Sequence, residues 1–209
     1  MSEQGPSKPP PQRPITPFAR WQTLASVVGF ELSLGLVALV IAGWLGLDLM
    51  ANLRWDLATL NWAVVATVPL VGAMLMLTRS QWRWVKVLNE PVETHLVPMF
   101  KNLPRGGLFL IALAAGTGEE LLFRGVIQQG VSDAAGSLVG LVLAPVVFGL
   151  AHALNRYYVL ITIVMGLYLG LLYQASENIA LVLLVHALYD WAVLRFLLFR
   201  STPSSGAKY

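Results

Sequence analysis

The chain contains no cysteine and only three histidines among its 209 residues. The first absence excludes disulfides, thiolate catalysis and cysteine-ligated metal together. Charge is scarce as well. Asp, Glu, Lys and Arg make up 12% of the chain against 56% hydrophobic residues, too little to clothe an ordinary soluble domain. The 14 basic and 11 acidic residues leave a formal charge of +3. In a soluble chain such an excess points to nucleic acid; here its placement carries the meaning, and no nucleic-acid partner is expected. No internal repeat and no second, soluble domain is visible. The first twenty residues are Pro-rich and polar and lack the short apolar core of a cleaved signal peptide. Targeting is therefore expected to fall to the first apolar segment, left uncleaved.

What is present in quantity is apolar sequence in long runs. Six segments approach the ~20 residues that cross a bilayer core: about Gln22–Leu47, Leu57–Thr78, Gly107–Gly130, Ser137–Leu154, Tyr158–Ala175 and Ile179–Phe199. Every Lys and Arg except Arg54 and Arg124 then falls on one side. By the positive-inside rule that side is cytoplasmic and holds both termini. The fold class expected is all-α, a polytopic integral membrane protein of about six transmembrane helices with a polar site inside the membrane. Its parts are a disordered Pro-rich tail over 1–20, a transmembrane domain over 21–200 with a motif-bearing core at 105–200, and a C-terminal tail over 201–209. Between the second and third segments, Trp82, Val85 and Leu88 recur at roughly helical spacing with Arg79, Arg83 and Lys86 among them. This suits a helix in the headgroup region, serving as an anchor or as a lid over a site. His95, beside Pro91 and Pro98, reads as a surface histidine.

A charged side chain at mid-bilayer costs about 2.5–3.5 kcal/mol on insertion scales, so those inside the spans demand an explanation. They are Glu119, Glu120 and Arg124 on the third span, His152 on the fourth, and His186 with Asp190 on the sixth. Residues four apart share a helix face, so Glu120 and Arg124 can neutralise each other. Glu119 lies off that stripe, free to face a polar cavity. Phe148 stands one turn before His152, where its ring can shield and orient the imidazole or simply pack. His186 and Asp190 are also one turn apart. A carboxylate and two imidazoles from separate spans form the inventory for activating water, by direct base catalysis or through a zinc ion held by His and carboxylate ligands.

The order "EELLFR", "FGLAH", "HALYD" resembles the CAAX-protease and bacteriocin-processing family of intramembrane proteases, also called CPBP or Abi. The family is marked by EExxxR, FxxxH and HxxxN/D-type motifs on successive helices. The resemblance covers Arg105 to Arg200. It implies an endopeptidase in which Glu119 activates the attacking water and His152 helps bind or polarise it. Glu120 and Arg124 organise the site, while His186 and Asp190 stabilise the oxyanion or complete a metal shell. The metal set implied is His152, His186, Glu119 and Asp190, around a divalent ion such as zinc; a metal-free, glutamate-dependent reaction is the alternative. The substrates implied are peptides or lipidated protein C-termini, reached beside membrane lipids. Asp190 departs from the Asn that many members carry. An ionised Asp opposes a developing oxyanion, so Asp190 is expected to orient His186, ligate a cation or stay protonated.

Depth arithmetic leaves a discrepancy. At ~1.5 Å per residue from the cytoplasmic ends, Glu119 and His186 lie about 20 Å deep, whereas His152 comes out much shallower. Gly166 and Gly170 form a GxxxG pair expected to pack within the molecule. Glu31 in the first span has no assigned partner. Two other functions use the same residue types: a proton-coupled transporter, disfavoured by the short chain without repeats, and a non-catalytic immunity or partner-binding membrane protein.

Overall fold

The computed structural model describes residues 16–201, and within them the chain is helical with no strand. The expected tails lie largely outside the described residues. The first helix, α1 (Pro17–Leu45), begins a few residues earlier than the expected tail boundary, because Thr16 and Pro17 form a start signal. The Thr16 hydroxyl accepts from the Ala19 N–H, and Pro17 sits where a missing N–H costs nothing. Gly46 closes the helix in the left-handed region at φ 71°.

Helix α2 (Leu57–Arg79) is capped by Asp56, whose carboxylate accepts from Thr59 N–H at 2.6 Å. That bond holds the Asp56 carboxyl below the ordinary carboxylate value. A bent amphipathic arm follows: α3 (Arg83–Pro91), a π-helical turn (Val92–Leu96) and α4 (Val97–Phe100). Its buried stripe is Val85, Leu88, Val92 and Phe100. Trp82 is exposed rather than part of that stripe, since α3 starts only at Arg83. His95 is exposed, as expected of a surface histidine.

The third expected span is one continuous run of helix with a change of winding in its middle: α5 (Gly107–Glu120), a π-helical segment (Leu121–Gln128) and α6 (Gln129–Ala135). Helices α7 (Ser137–Ala151), α8 (Arg156–Ser176) and α9 (Ile179–Ser201) complete the described chain. Among the described residues, four helices are long and apolar enough to cross a membrane, namely α1, α2, α8 and α9. The third run is interrupted by its charged residues and its π winding. At fifteen residues, α7 measures about 22 Å, short of the ~30 Å hydrocarbon core. The molecule is a polytopic membrane protein, and the irregular third run carries Glu119, Glu120 and Arg124.

Helix α9 lies at the centre, packed on α5, α2 and α8. Ile179, Val182 and Val185 are almost fully buried there, with Leu169 of α8 against them. Large apolar side chains such as Trp44, Met76, Leu138 and Phe199 face outward, as lipid contact requires. Association of helices in lipid gains little from hydrophobicity and relies on close van der Waals approach. Gly116 supplies it for α9, since a Cβ there would stand 2.7 Å from the Leu183 carbonyl. At one end of the bundle, Asn178 bonds the Arg54 backbone and Thr59, while the Arg54 guanidinium donates to the Ser176 and Glu177 carbonyls. Arg54 is thus occupied in fastening the α8–α9 turn to the start of α2.

Candidate active site

The last turn of α5 carries Glu119 and Glu120 into the bundle, and both are buried. Glu120 is the better satisfied. Its Oε1 accepts from Arg124 Nη1 at 2.8 Å and from His186 Nδ1 at 2.7 Å. The Arg124 guanidinium spends a second nitrogen on the Gly166 carbonyl at 2.9 Å and lies over the Phe148 ring, 4.9 Å from its centroid. Four residues on, Gln128 donates to the Gly170 carbonyl at 3.1 Å. The two glycines of the expected GxxxG pair thus serve contacts within this chain. Gly166 meets Pro145 and Phe148, and Gly170 meets Gln128 and Leu141. Side chains of the π-helical segment reach two successive turns of α8, and this fastens the helix that bears the carboxylates.

Glu119 faces the other way, toward two imidazoles. His152 Nε2 stands 3.5 Å from its Oε1 and His186 Nε2 stands 3.9 Å from its Oε2. Each ring is held from behind. His152 Nδ1 donates to the Phe148 carbonyl at 2.8 Å, and His186 Nδ1 donates to Glu120. Both acceptors lack a proton to give, so Nδ1 carries the hydrogen on each ring and Nε2 is turned toward Glu119. Phe148 packs between them, 4.5 Å from the His152 ring and 6.0 Å from the His186 ring, edge-on to the latter. Phe123 closes its far side at 5.0 Å.

The structure brings all seven sequence-predicted site residues together. Asp190 is the outlying member, 3.5 Å from His186 Nε2 and 30% exposed, and His152 is 29% exposed. These two form the mouth, while Glu120, Arg124 and His186 form the floor. Glu120 holds His186 at Nδ1, while Asp190 stands at the opposite ring nitrogen, 3.5 Å from Nε2. Despite the depth count, His152 and Glu119 meet: helix α7 stops at Ala151 and His152 leaves it in a non-helical conformation, which brings the α7–α8 turn beside Glu119. Asn155 ties this turn down, accepting from Tyr157 and Tyr158 N–H and donating to the Val87 carbonyl of α3. The amphipathic arm therefore rests on the turn that carries His152. Sequence reasoning missed Gln128 and Asn155; a buried amide four residues beyond Arg124 and a cap three residues beyond His152 were the available signals.

The metal set expected was Glu119, His152, His186 and Asp190. Among the described residues no group of three or more His, Asp or Glu side chains is placed to hold a metal ion, so the residues do not fit a ready metal centre. Comparison with curated proteins and with solved structures returned no match. Residues 102–192 match the family described as type II CAAX prenyl endopeptidase Rce1-like. That stretch holds every residue of the site just described, from Glu119 to Asp190. The match to the Rce1-like CAAX prenyl endopeptidase family over residues 102–192 is consistent with the CPBP resemblance of the three motifs.

Proposed function

We propose that the protein is a membrane-embedded endopeptidase in which Glu119 activates water against a peptide bond. One observation carries this reading: a buried carboxylate faced by the Nε2 atoms of two histidines from separate helices, each ring held at Nδ1. The contacts of 3.5 and 3.9 Å are long for direct hydrogen bonds, so a water that enters the site can compete for all three groups. Glu119 takes a proton from that water as its oxygen attacks the carbonyl carbon. His152, at the mouth, orients the water, and His186, protonated on Nε2 as well as Nδ1, donates from Nε2 to the charge developing on the carbonyl oxygen. Collapse of the tetrahedral intermediate breaks the C–N bond, and Glu119 returns its proton to the departing amine.

Glu120 and Arg124 act by placement, since they hold His186 and neutralise each other in a dry interior. Asp190 sits where an oxyanion donor would be wanted, and a carboxylate there leaves that task to His186. The substrate class follows from the family: a peptide or the lipidated C-terminus of a protein presented at the membrane. The distribution of basic residues supports both termini on the cytoplasmic side. Residues 105–200 form the catalytic core of the transmembrane domain, which begins with α1 at Pro17 and ends with α9 at Ser201.

The test is cleavage of a mixed library of peptides and C-terminally lipidated peptides by purified protein in detergent, parent against Glu119→Gln, read by mass spectrometry. Products from the parent alone are expected. Equal products from both would remove Glu119 from the reaction. The same reaction in chelator tests a zinc-bound water, which requires loss of turnover that zinc restores.

A further inference from the structure

Glu31 has no part in the reaction above, yet it is drawn to the same place. It lies in the middle of α1, and its Oε2 is buried without a hydrogen-bond partner. Two glycines bring α1 onto α5. A Cβ on Gly118 would collide with the Glu31 carbonyl, and one on Gly35 would stand 3.4 Å from the Gly118 Cα. The helices therefore cross one residue from Glu119. There the Glu31 carboxylate comes within electrostatic reach of Glu119, Asp190, His152 and His186 together.

The charges around it do not balance. The guanidinium nearest this cluster, Arg124, is occupied by Glu120 and the Gly166 carbonyl. Glu31, Glu119 and Asp190 thus present three carboxylates to two imidazoles, of which His186 is already held by Glu120. Glu119 is 6% exposed, and its Oε2, aimed at His186, also lacks a hydrogen-bond partner. A carboxylate oxygen shut away from water without a donor is costly. Such an arrangement is complementary to a ligand that brings the donor with it. A peptide N–H would satisfy the hydrogen bond, and an ammonium or guanidinium on the substrate would in addition offset the negative charge of the three carboxylates.

We propose that Glu31 is a specificity-determining residue that receives the side chain of a substrate Lys or Arg beside the scissile bond. The word scissile rests on the endopeptidase reading; the preference for a basic side chain is measurable without hydrolysis. The experiment uses the full chain in detergent, in the Glu119→Gln background, with and without Glu31→Gln or Glu31→Asp. A randomised octapeptide library is captured on each protein and sequenced by mass spectrometry. Lys and Arg at one position are expected to be enriched at least about tenfold over Leu, the scale of one charge-assisted hydrogen bond. Enrichment should vanish in Glu31→Gln and survive in part in Glu31→Asp, with all three proteins unfolding at similar temperature. Absence of basic enrichment, or equal enrichment with Gln at position 31, overturns the proposal.

Should Glu31→Gln fail to fold, the parent's cleavage products of the same library decide. Cuts beside basic residues uphold the assignment, and cuts indifferent to charge overturn it. The two readings fail separately. A parent that cleaves nothing while Glu119→Gln still captures basic peptides removes the endopeptidase and keeps the Glu31 site, whereas charge-blind cleavage does the reverse.

Discussion

Replacing Arg124 by Leu separates the two tasks assigned to the floor of the site. The guanidinium donates to Glu120 at 2.8 Å and to the Gly166 carbonyl at 2.9 Å, and it lies over Phe148. Glu120 is fully buried, and its second oxygen already lacks a partner. Without Arg124, the Glu120 carboxylate retains only the His186 ring. Breaking a buried pair on one side costs about 3–5 kcal/mol, a large share of the ~5–15 kcal/mol by which a protein is stable. Arg124→Leu should therefore unfold at clearly lower temperature in detergent and lose turnover. Removing both charges tells a different story. In Glu120→Leu/Arg124→Leu no buried ion is stranded, so most of the stability returns, although the Gly166 carbonyl loses its side-chain donor. The double variant also deprives His186 Nδ1 of its 2.7 Å acceptor, so turnover should stay low. Thermal unfolding followed by circular dichroism and peptide cleavage on the same samples read the two effects. An Arg124→Leu protein as stable as the parent would refute the reasoning, as would a double variant with full turnover.

Further predictions concern the placement of the site. Gly118→Ala would drive a methyl into the Glu31 backbone carbonyl, where no flexible side chain can yield, whereas Gly29→Ala on α1 meets nothing within 4 Å. Gly118→Ala should give little folded protein by size-exclusion chromatography and Gly29→Ala a normal yield; equal yields would contradict the crossing. Asn155→Ala removes the cap of α8 and the tether to the Val87 carbonyl at once. A loss of about 1–2 kcal/mol from the cap should appear as a lower unfolding temperature. Turnover should also fall as His152 loosens, and Asn155→Asp, which keeps the capping oxygen, should restore stability better than turnover.

Much of the architecture is local and so is legible in the chain. Runs such as Leu57–Arg79 and Arg156–Ser176 announce themselves by length and apolarity, and Thr16-Pro17 and Asp56 mark helix starts by cap chemistry. The i,i+4 spacing of Glu120 and Arg124 made their pairing readable, because both lie on one helical stripe. By its ionisable residues in three apolar helices, the sequence alone also determined which side chains needed a common destination.

What the sequence could not determine was who holds whom. His186 reaches Glu120 across 66 positions, and no helical period encodes a contact between helices. His152 meets Glu119 because α7 ends inside the bundle, which residue counting from an assumed membrane edge cannot supply. The approach of Glu31 depends on two glycines on different helices, Gly35 and Gly118, whose missing side chains matter only once α1 and α5 cross. Periodicity and hydropathy are properties of one helix against its solvent, and they fix class and span. Pairing, burial and the choice of acceptor for each imidazole are properties of helices against one another, and only the tertiary structure decides them.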